Sequence, residues 1–200
     1  MELTALKERL VALGYRASVF ADRDSACDYL AACIGGRTAA VGGSVTVREM
    51  KLAERLRKSG RVIWHWEPQA GEDASQLLTE ARSAPIYISS VNAIARTGEI
   101  VNIDGTCNRL SSILYGHETV YLVVGRNKIT ENMPSAIDRA RNIAAPKNAA
   151  RLGRHTPCVA ANRCMDCASP ERICRALSVL YSAPRGASYE VILIDEDLGY

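Results

Sequence analysis

Four of the chain's seven cysteines crowd one stretch near the C-terminus: Cys158, Cys164, Cys167 and Cys174, spaced C-x5-C-x2-C-x6-C. Thiolates at this spacing converge when the backbone between them turns, and Asn162, Asp166, Ser169 and Pro170 are turn-forming residues. Convergent thiolates bind soft or borderline metals, so a tetrahedral zinc ion (Zn2+) and a four-iron cluster (4Fe-4S) both answer to this donor set. The spacing does not choose between them. Disulfides fit less well, because the cysteine total is odd and no secretory signal is read at the N-terminus. A redox pair at Cys164 and Cys167 has no need of two flanking cysteines. Cys27, Cys33 and Cys107 stand singly and read as small buried hydrophobes. Arg154, Arg163, Arg172 and Arg175 lie close by, either to offset the charge of a thiolate-bound centre or as a solvated basic face.

Three further passages have residue types suited to an anion. Residues 38–41 form an apolar strand that runs into Gly42, Gly43 and Ser44, then into a helix expected from Thr46 to near Gly60. Thr46 and Glu49 are spaced as a capping box. Glycines let a ligand approach the backbone, and free amides at a helix start suit phosphate or carboxylate; the plain alternative is an ordinary strand–helix turn. Residues 90–109 combine Asn92, Glu99, Asp104, Gly105, Thr106, Asn108 and Arg109. They read as a hairpin tip at Thr97-Gly98-Glu99 and a turn at Asp104 into a helix. These groups could grip a small polar substrate or hydrogen-bond one another to hold the turn. Lys128 follows Gly125 at the end of an apolar strand, where it can meet an anion or remain a solvated cation.

The elements that must position these groups follow from composition and periodicity. Two hundred residues with 48% hydrophobic content suffice for one domain over residues 1–200, with a cysteine-rich metal-binding segment at 154–175. A net charge of +3 argues against a nucleic-acid partner, and no apolar run reaches the length of a membrane span. Cytoplasm is the default location. Helical spacing marks residues 1–14, a segment starting at Asp22 or Asp24 and closed by Gly35-Gly36, residues 74–82, and residues 133–145, which Pro146 ends or kinks. Strand patterns cover residues 38–41, 61–66, 85–89, 119–124 (the most apolar, hence central) and 190–194. Strands alternating with helices predict an α/β fold with a largely parallel sheet, and the four-cysteine segment is an insertion before the last strand.

Together, the passages Val41-Gly-Gly-Ser-Val-Thr46, Asn92-Ala-Ile-Ala-Arg-Thr-Gly98, Asp104-Gly-Thr-Cys-Asn-Arg109, Val124-Gly-Arg-Asn-Lys-Ile129, Ala144-Ala-Pro-Lys-Asn148 and the cysteine stretch resemble the LUD-domain family, the lactate utilisation proteins. The resemblance implies a three-layer fold like that of the sugar-phosphate isomerase and CoA-transferase superfamily. It implies that Gly42, Gly43, Ser44 and Thr46 line an anion or cofactor pocket faced by Asp104, Gly105, Asn108, Arg109 and Lys128. Cys107 stands where the family usually has glycine, so its side chain is expected to fill part of the pocket or demand another backbone angle.

Two functions follow. The first is an iron–sulfur-associated component of organic-acid oxidation, lactate to pyruvate, which needs electron-transfer partner proteins. The second is a non-redox isomerase or CoA-transferase-like enzyme, or a small-anion-binding protein, in which zinc staples the insertion and Glu99 or Asp104 serves as nucleophile or general base. In both, the ligand is a small carboxylate or a phosphate-bearing molecule. A homodimer is the default oligomer.

Overall fold

The computed structural model describes residues 2–200. The chain opens with α1 (Glu2–Ala12), β1 (Arg16–Phe20), α2 (Arg23–Ile34), β2 (Ala39–Val41), α3 (Val45–Glu49), α4 (Leu52–Leu56), β3 (Val62–Ile63) and α5 (Ala74–Glu80). It continues through β4 (Ile86–Ser90), β5 (Ala93–Ala95), β6 (Ile100–Asp104), α6 (Asn108–Leu114), β7 (Thr119–Gly125) and β8 (Ile129–Thr130). The last elements are α7 (Met133–Arg139), α8 (Ala145–Arg151), α9 (Pro157–Ala161), β9 (Ala176–Leu180) and β10 (Ser188–Ile194).

Among the described residues six strands pair in the order β1-β10-β7-β4-β2-β3, all parallel. A parallel sheet is covered on both faces, and the side-chain period of two divides its strands between two cores. Val120, Leu122 and Val124 join Leu6, Leu10, Leu77 and Ile113 on one side. Tyr121 and Val123 join Ala26, Leu30, Val47 and Leu52 on the other. The result is the expected three-layer α/β arrangement. A second sheet, ordered β8-β5-β6-β9, contains the antiparallel pairs β5 with β6 and β6 with β9.

Several local expectations need correction. The helix expected from Thr46 to Gly60 is two short helices, because Lys51 adopts a left-handed φ of 54° between them. Its cap is Ser44, whose Oγ accepts from the Val47 N–H at 3.1 Å, while Thr46 is the second residue of the helix and is buried. The strand expected over residues 61–66 shrinks to Val62–Ile63, and Trp64 and Trp66 leave it to stack with ring centroids 6.4 Å apart. Pro146 does not end a helix. A π turn at Ala140–Ala144 joins α7 to α8, and the proline sits in the first turn of α8, where its missing N–H is tolerated. Strands β1 and β9 were not expected. Because β9 follows the cysteines directly, the cysteine segment lies between α8 and a strand of the smaller sheet. No helix among the described residues is long and apolar enough to cross a membrane.

Leu122 is 0% exposed at the middle of β7, next to both β4 and β10. Leu122→Ala is expected to destabilise the fold by about 2–5 kcal/mol, read as a lower denaturant midpoint at unchanged slope.

Candidate functional site

Parallel strands bring their carboxyl ends to one edge, and three of them deliver the central groups. After β2, the chain turns through Gly43, where a Cβ would come within 2.7 Å of the Trp66 indole, so only glycine fits against that ring. Gly42 continues the sheet, its N–H donating to Ile88 O at 2.9 Å. At the end of β4 stands Ser90. After β7, the single turn Arg126–Lys128 folds Lys128 back into the protein, where it is 3% exposed. Its Nζ donates to Thr46 Oγ1 at 2.6 Å and to Ser90 Oγ at 2.8 Å. Both partners are hydroxyls, not carboxylates. Burial, reinforced by the guanidiniums of Arg139 and Arg109 and opposed by Glu49, lowers the Lys128 pKa from the usual 10.5 to about 7.

Arg109 rises from the first turn of α6 into a web of acceptors. Its Nη1 donates to Asn102 Oδ1 at 2.5 Å and Ser90 O at 3.3 Å, and its Nη2 to Ile103 O at 2.7 Å. Asn92 Oδ1 accepts from the Ile103 N–H at 2.6 Å, stitching the loop after β4 to β6. Asp104 is equally engaged. Its Oδ1 accepts from the N–H groups of Thr106 at 3.2 Å and Cys107 at 3.3 Å, its Oδ2 from that of Leu110 at 3.2 Å, and Arg109 Nε stands 3.8 Å away. Asp104 therefore caps α6 and fixes the turn. Glu99 sits at the β5–β6 hairpin, accepts from the Thr97 hydroxyl, and lines neither chamber described below. Cys107 keeps a glycine-like φ of 64° with its side chain exposed, so it neither fills the pocket nor changes the backbone angle.

These elements enclose a cleft of two adjoining chambers. The inner one, about 80 Å3, is lined by Gly43, Ser44, Thr46, Ser90, Lys128 and Tyr200 among others. The outer one, about 280 Å3, has Gly105, Thr106, Asn108, Arg151, Arg154 and Ile173 in its walls. Asn92, Trp66, Arg109 and Asn148 belong to both. Trp66 is held by the guanidiniums of Arg48 and Arg151, 4.7 and 4.2 Å from its ring centroid. The C-terminal segment covers the inner chamber: Thr46 Oγ1 donates to Leu198 O at 3.2 Å, Gly199 N to Glu49 Oε2 at 2.6 Å, and Tyr200 Oη to Asn148 Oδ1 at 2.6 Å. Ser90, Trp66, Arg151 and Tyr200 were missed as site residues. Of these only Ser90 carries a local signal, a hydroxyl at the end of an apolar strand.

The cysteine stretch forms its own cavity. Cys158 on α9, Cys164, Cys167 and Cys174 all line one space of about 330 Å3, and left-handed backbone at Asn162 (φ 52°) and Asp166 (φ 46°) turns the chain around it. Cys164 Sγ accepts from the Asp166 N–H at 3.5 Å and from Arg141 Nη2 at 3.7 Å. Arg172 donates to the carbonyls of Cys167 at 2.8 Å and Cys174 at 2.9 Å, so it braces the loop. Among the described residues no three His, Cys, Asp or Glu side chains stand close enough together to grip a single ion, and every cysteine is a free thiol. Cys27 is buried as expected; Cys33 and Cys107 are exposed. Ile103 and Ala145 line both this cavity and the outer chamber. Gly105 lies against the same partition, since a Cβ there would come within 2.8 Å of Ile173 O.

The buried amine makes stability depend on pH. Below pH 7 both folded and unfolded chains carry the Lys128 proton, and the cost of burying the ammonium is fully present. Between about 7 and 10.5 the unfolded chain still holds the proton that the folded protein has released, so stability rises with pH. The rise is at most about 1.4 kcal/mol per pH unit, and urea unfolding across this window is expected to lose that contribution in Lys128→Met.

A crystal structure of a DUF162 family protein from Deinococcus radiodurans superposes with a TM-score of 0.56 at 14% identity, covering 96% of each chain. At that identity the likeness concerns the fold. A structure of eIF2B beta from Chaetomium thermophilum aligns over 67% of this chain and 44% of its own at 14% identity, with a TM-score of 0.33, too low to carry an argument. No curated protein sequence matches. The family model of the LUD domain matches residues 3–194, nearly the whole chain, and the protein therefore belongs to the LUD-domain family.

Proposed function

We propose that the protein is a cluster-bearing component of organic-acid oxidation, of the lactate-to-pyruvate type. The cleft takes a small carboxylate, and Cys158, Cys164, Cys167 and Cys174 hold an iron–sulfur cluster. The observation that carries this reading is the shared partition: a ligand in the outer chamber and a centre among the thiols would both touch Ile103 and Ala145.

The chemistry of the donor set supports the reading: four thiols stand in the walls of one cavity of about 330 Å3, and thiolates are the ligands of a four-iron cluster as they are of zinc. Arg141 and the Asp166 N–H, both directed at Cys164 Sγ, would offset the negative charge of a thiolate set. A bound cluster supplies one-electron redox chemistry. The chain's own residues bind and orient the acid. Lys128 offers a cation at the floor of the inner chamber, Arg151 and Arg154 add positive charge in the outer one, and Tyr200 with Asn148 helps exclude water. Exposed Met165 and Leu177 at the thiol cavity mark the side where an electron-transfer partner would dock.

Purification without oxygen, with iron, sulfide and visible-absorption analysis, tests the cluster. The expected outcome is a brown protein that Cys164→Ser/Cys167→Ser bleaches; a colourless protein carrying zinc would reduce the cysteines to a structural clasp. Titration of lactate against intrinsic tryptophan fluorescence tests the cleft, since Trp66 lines both chambers. Lys128→Met should weaken binding by about tenfold or more, the loss expected of one charged hydrogen bond. Wild-type affinity should fall as pH rises through about 7, where Lys128 loses its proton. Equal binding by wild type and variant would remove Lys128 from the anion site.

A further inference from the structure

Lys128 has more to offer than charge. An ammonium meant only to hold an anion is cheapest where solvent or a carboxylate keeps it protonated. Here the amine is buried, bonded to two hydroxyls, and flanked by Arg109 and Arg139, with Glu49 the acidic group that opposes them. Among amine reactions, attack on a carbonyl is the one these surroundings suit.

We propose that Lys128 captures the carbonyl carbon of a short-chain 2-oxo acid as an imine, with Ser90 relaying the protons and Thr46 holding the amine in place. The proposal rests on the carboxylate-binding reading above and names the substrate class for that site. The Nζ lone pair attacks the carbonyl carbon, forming a C–N bond and a carbinolamine. The two Nζ protons pass to the former carbonyl oxygen, which leaves as water when the C–O bond breaks; the step is a condensation with no change of oxidation state. Three features of the chamber serve it.

The first is proton relay. Ser90 Oγ, 2.8 Å from Nζ, can accept a proton from nitrogen and donate one to oxygen, while Thr46 Oγ1, 2.6 Å from Nζ and donating its own proton to Leu198 O, positions the amine. The second is the supply of free amine. With its pKa near 7, Lys128 is substantially unprotonated at neutral pH. The third is size and charge. A chamber of about 80 Å3 admits a short acid, and Arg109 in its wall favours a carboxylate beside the reacting carbon. An imine also weakens the bonds to the carbon next to it, by giving their electrons a place to go.

Incubation of the intact protein with pyruvate and sodium cyanoborohydride, followed by peptide mapping, tests the proposal. The adduct is expected on Lys128, roughly a hundredfold above the exposed Lys7, Lys51, Lys58 and Lys147, because a half-deprotonated amine outcompetes ordinary ammonium groups. Lactate, which lacks the carbonyl, should leave no adduct, and Ser90→Ala should slow the trapping without moving it. Fluorescence titration with both acids, run in parallel, separates the two readings. Binding of pyruvate without an adduct on Lys128, or label spread evenly over the exposed lysines, would overturn the imine and leave the carboxylate site standing. Failure of both acids to bind would overturn both readings.

Discussion

The structure depends on one buried amine. Lys128 Nζ, reaching Thr46 and Ser90, ties together the segments that follow β7, β2 and β4, three strands whose carboxyl ends would otherwise carry independent loops. A hydrocarbon side chain could fill the same space, but it would leave two buried hydroxyls without this partner and give the cleft no cation. Burying the amine is unfavourable in itself, and the fold accepts that because the surrounding sheet is apolar on both faces and rigidly paired.

A second constraint sets the distance between the two cavities. Strand β6 carries Asn102 and Asp104 to the cleft, and its register with β9 pairs Asp104 with Ala176, two residues after Cys174. The Arg175 N–H donates to Asp104 O at 3.0 Å, extending that pairing to the edge of the thiol cavity. The cysteine loop is thus anchored by a sheet ladder to the very turn that walls the cleft. Any movement of the loop that accompanies filling of its cavity would be felt at Asp104, Gly105 and Ile173 before it reached the larger sheet.

Much of this could be read in the chain itself, and the failures have common physical causes. The apolar runs at β4, β7 and β10 and the glycine loop are local signals, and each led to the right element; the cysteine spacing led to four thiols around one cavity, no three of them close enough to grip a single ion. Strand β9 was hidden because Ala176–Leu180 acquires its pairing only through β6, a partner far back in the chain. The break at Lys51 was hidden because nothing in a run of good helix formers announces a left-handed residue. Trp66 reads as a strand residue until Gly43, Arg48 and Arg151 are seen to surround it.

The polar stretch from Asn92 to Arg109 teaches the sharper lesson. Density of polar residues suggested a substrate grip, but Arg109, Asn92, Asn102 and Asp104 direct most of their hydrogen-bonding capacity at one another and at backbone. The Asp104 carboxylate, accepting from three backbone N–H groups, is committed to holding the turn. The same engagement makes the wall stiff. The groups that face the chamber without such saturation are a lysine whose partners are two hydroxyls and a serine that the chain places at the end of β4. In this fold saturation of hydrogen bonds, by nearby backbone amides at Asp104 and by more distant partners at Arg109 and Asn92, separates the residues that build the wall of the cleft from those that face its chamber.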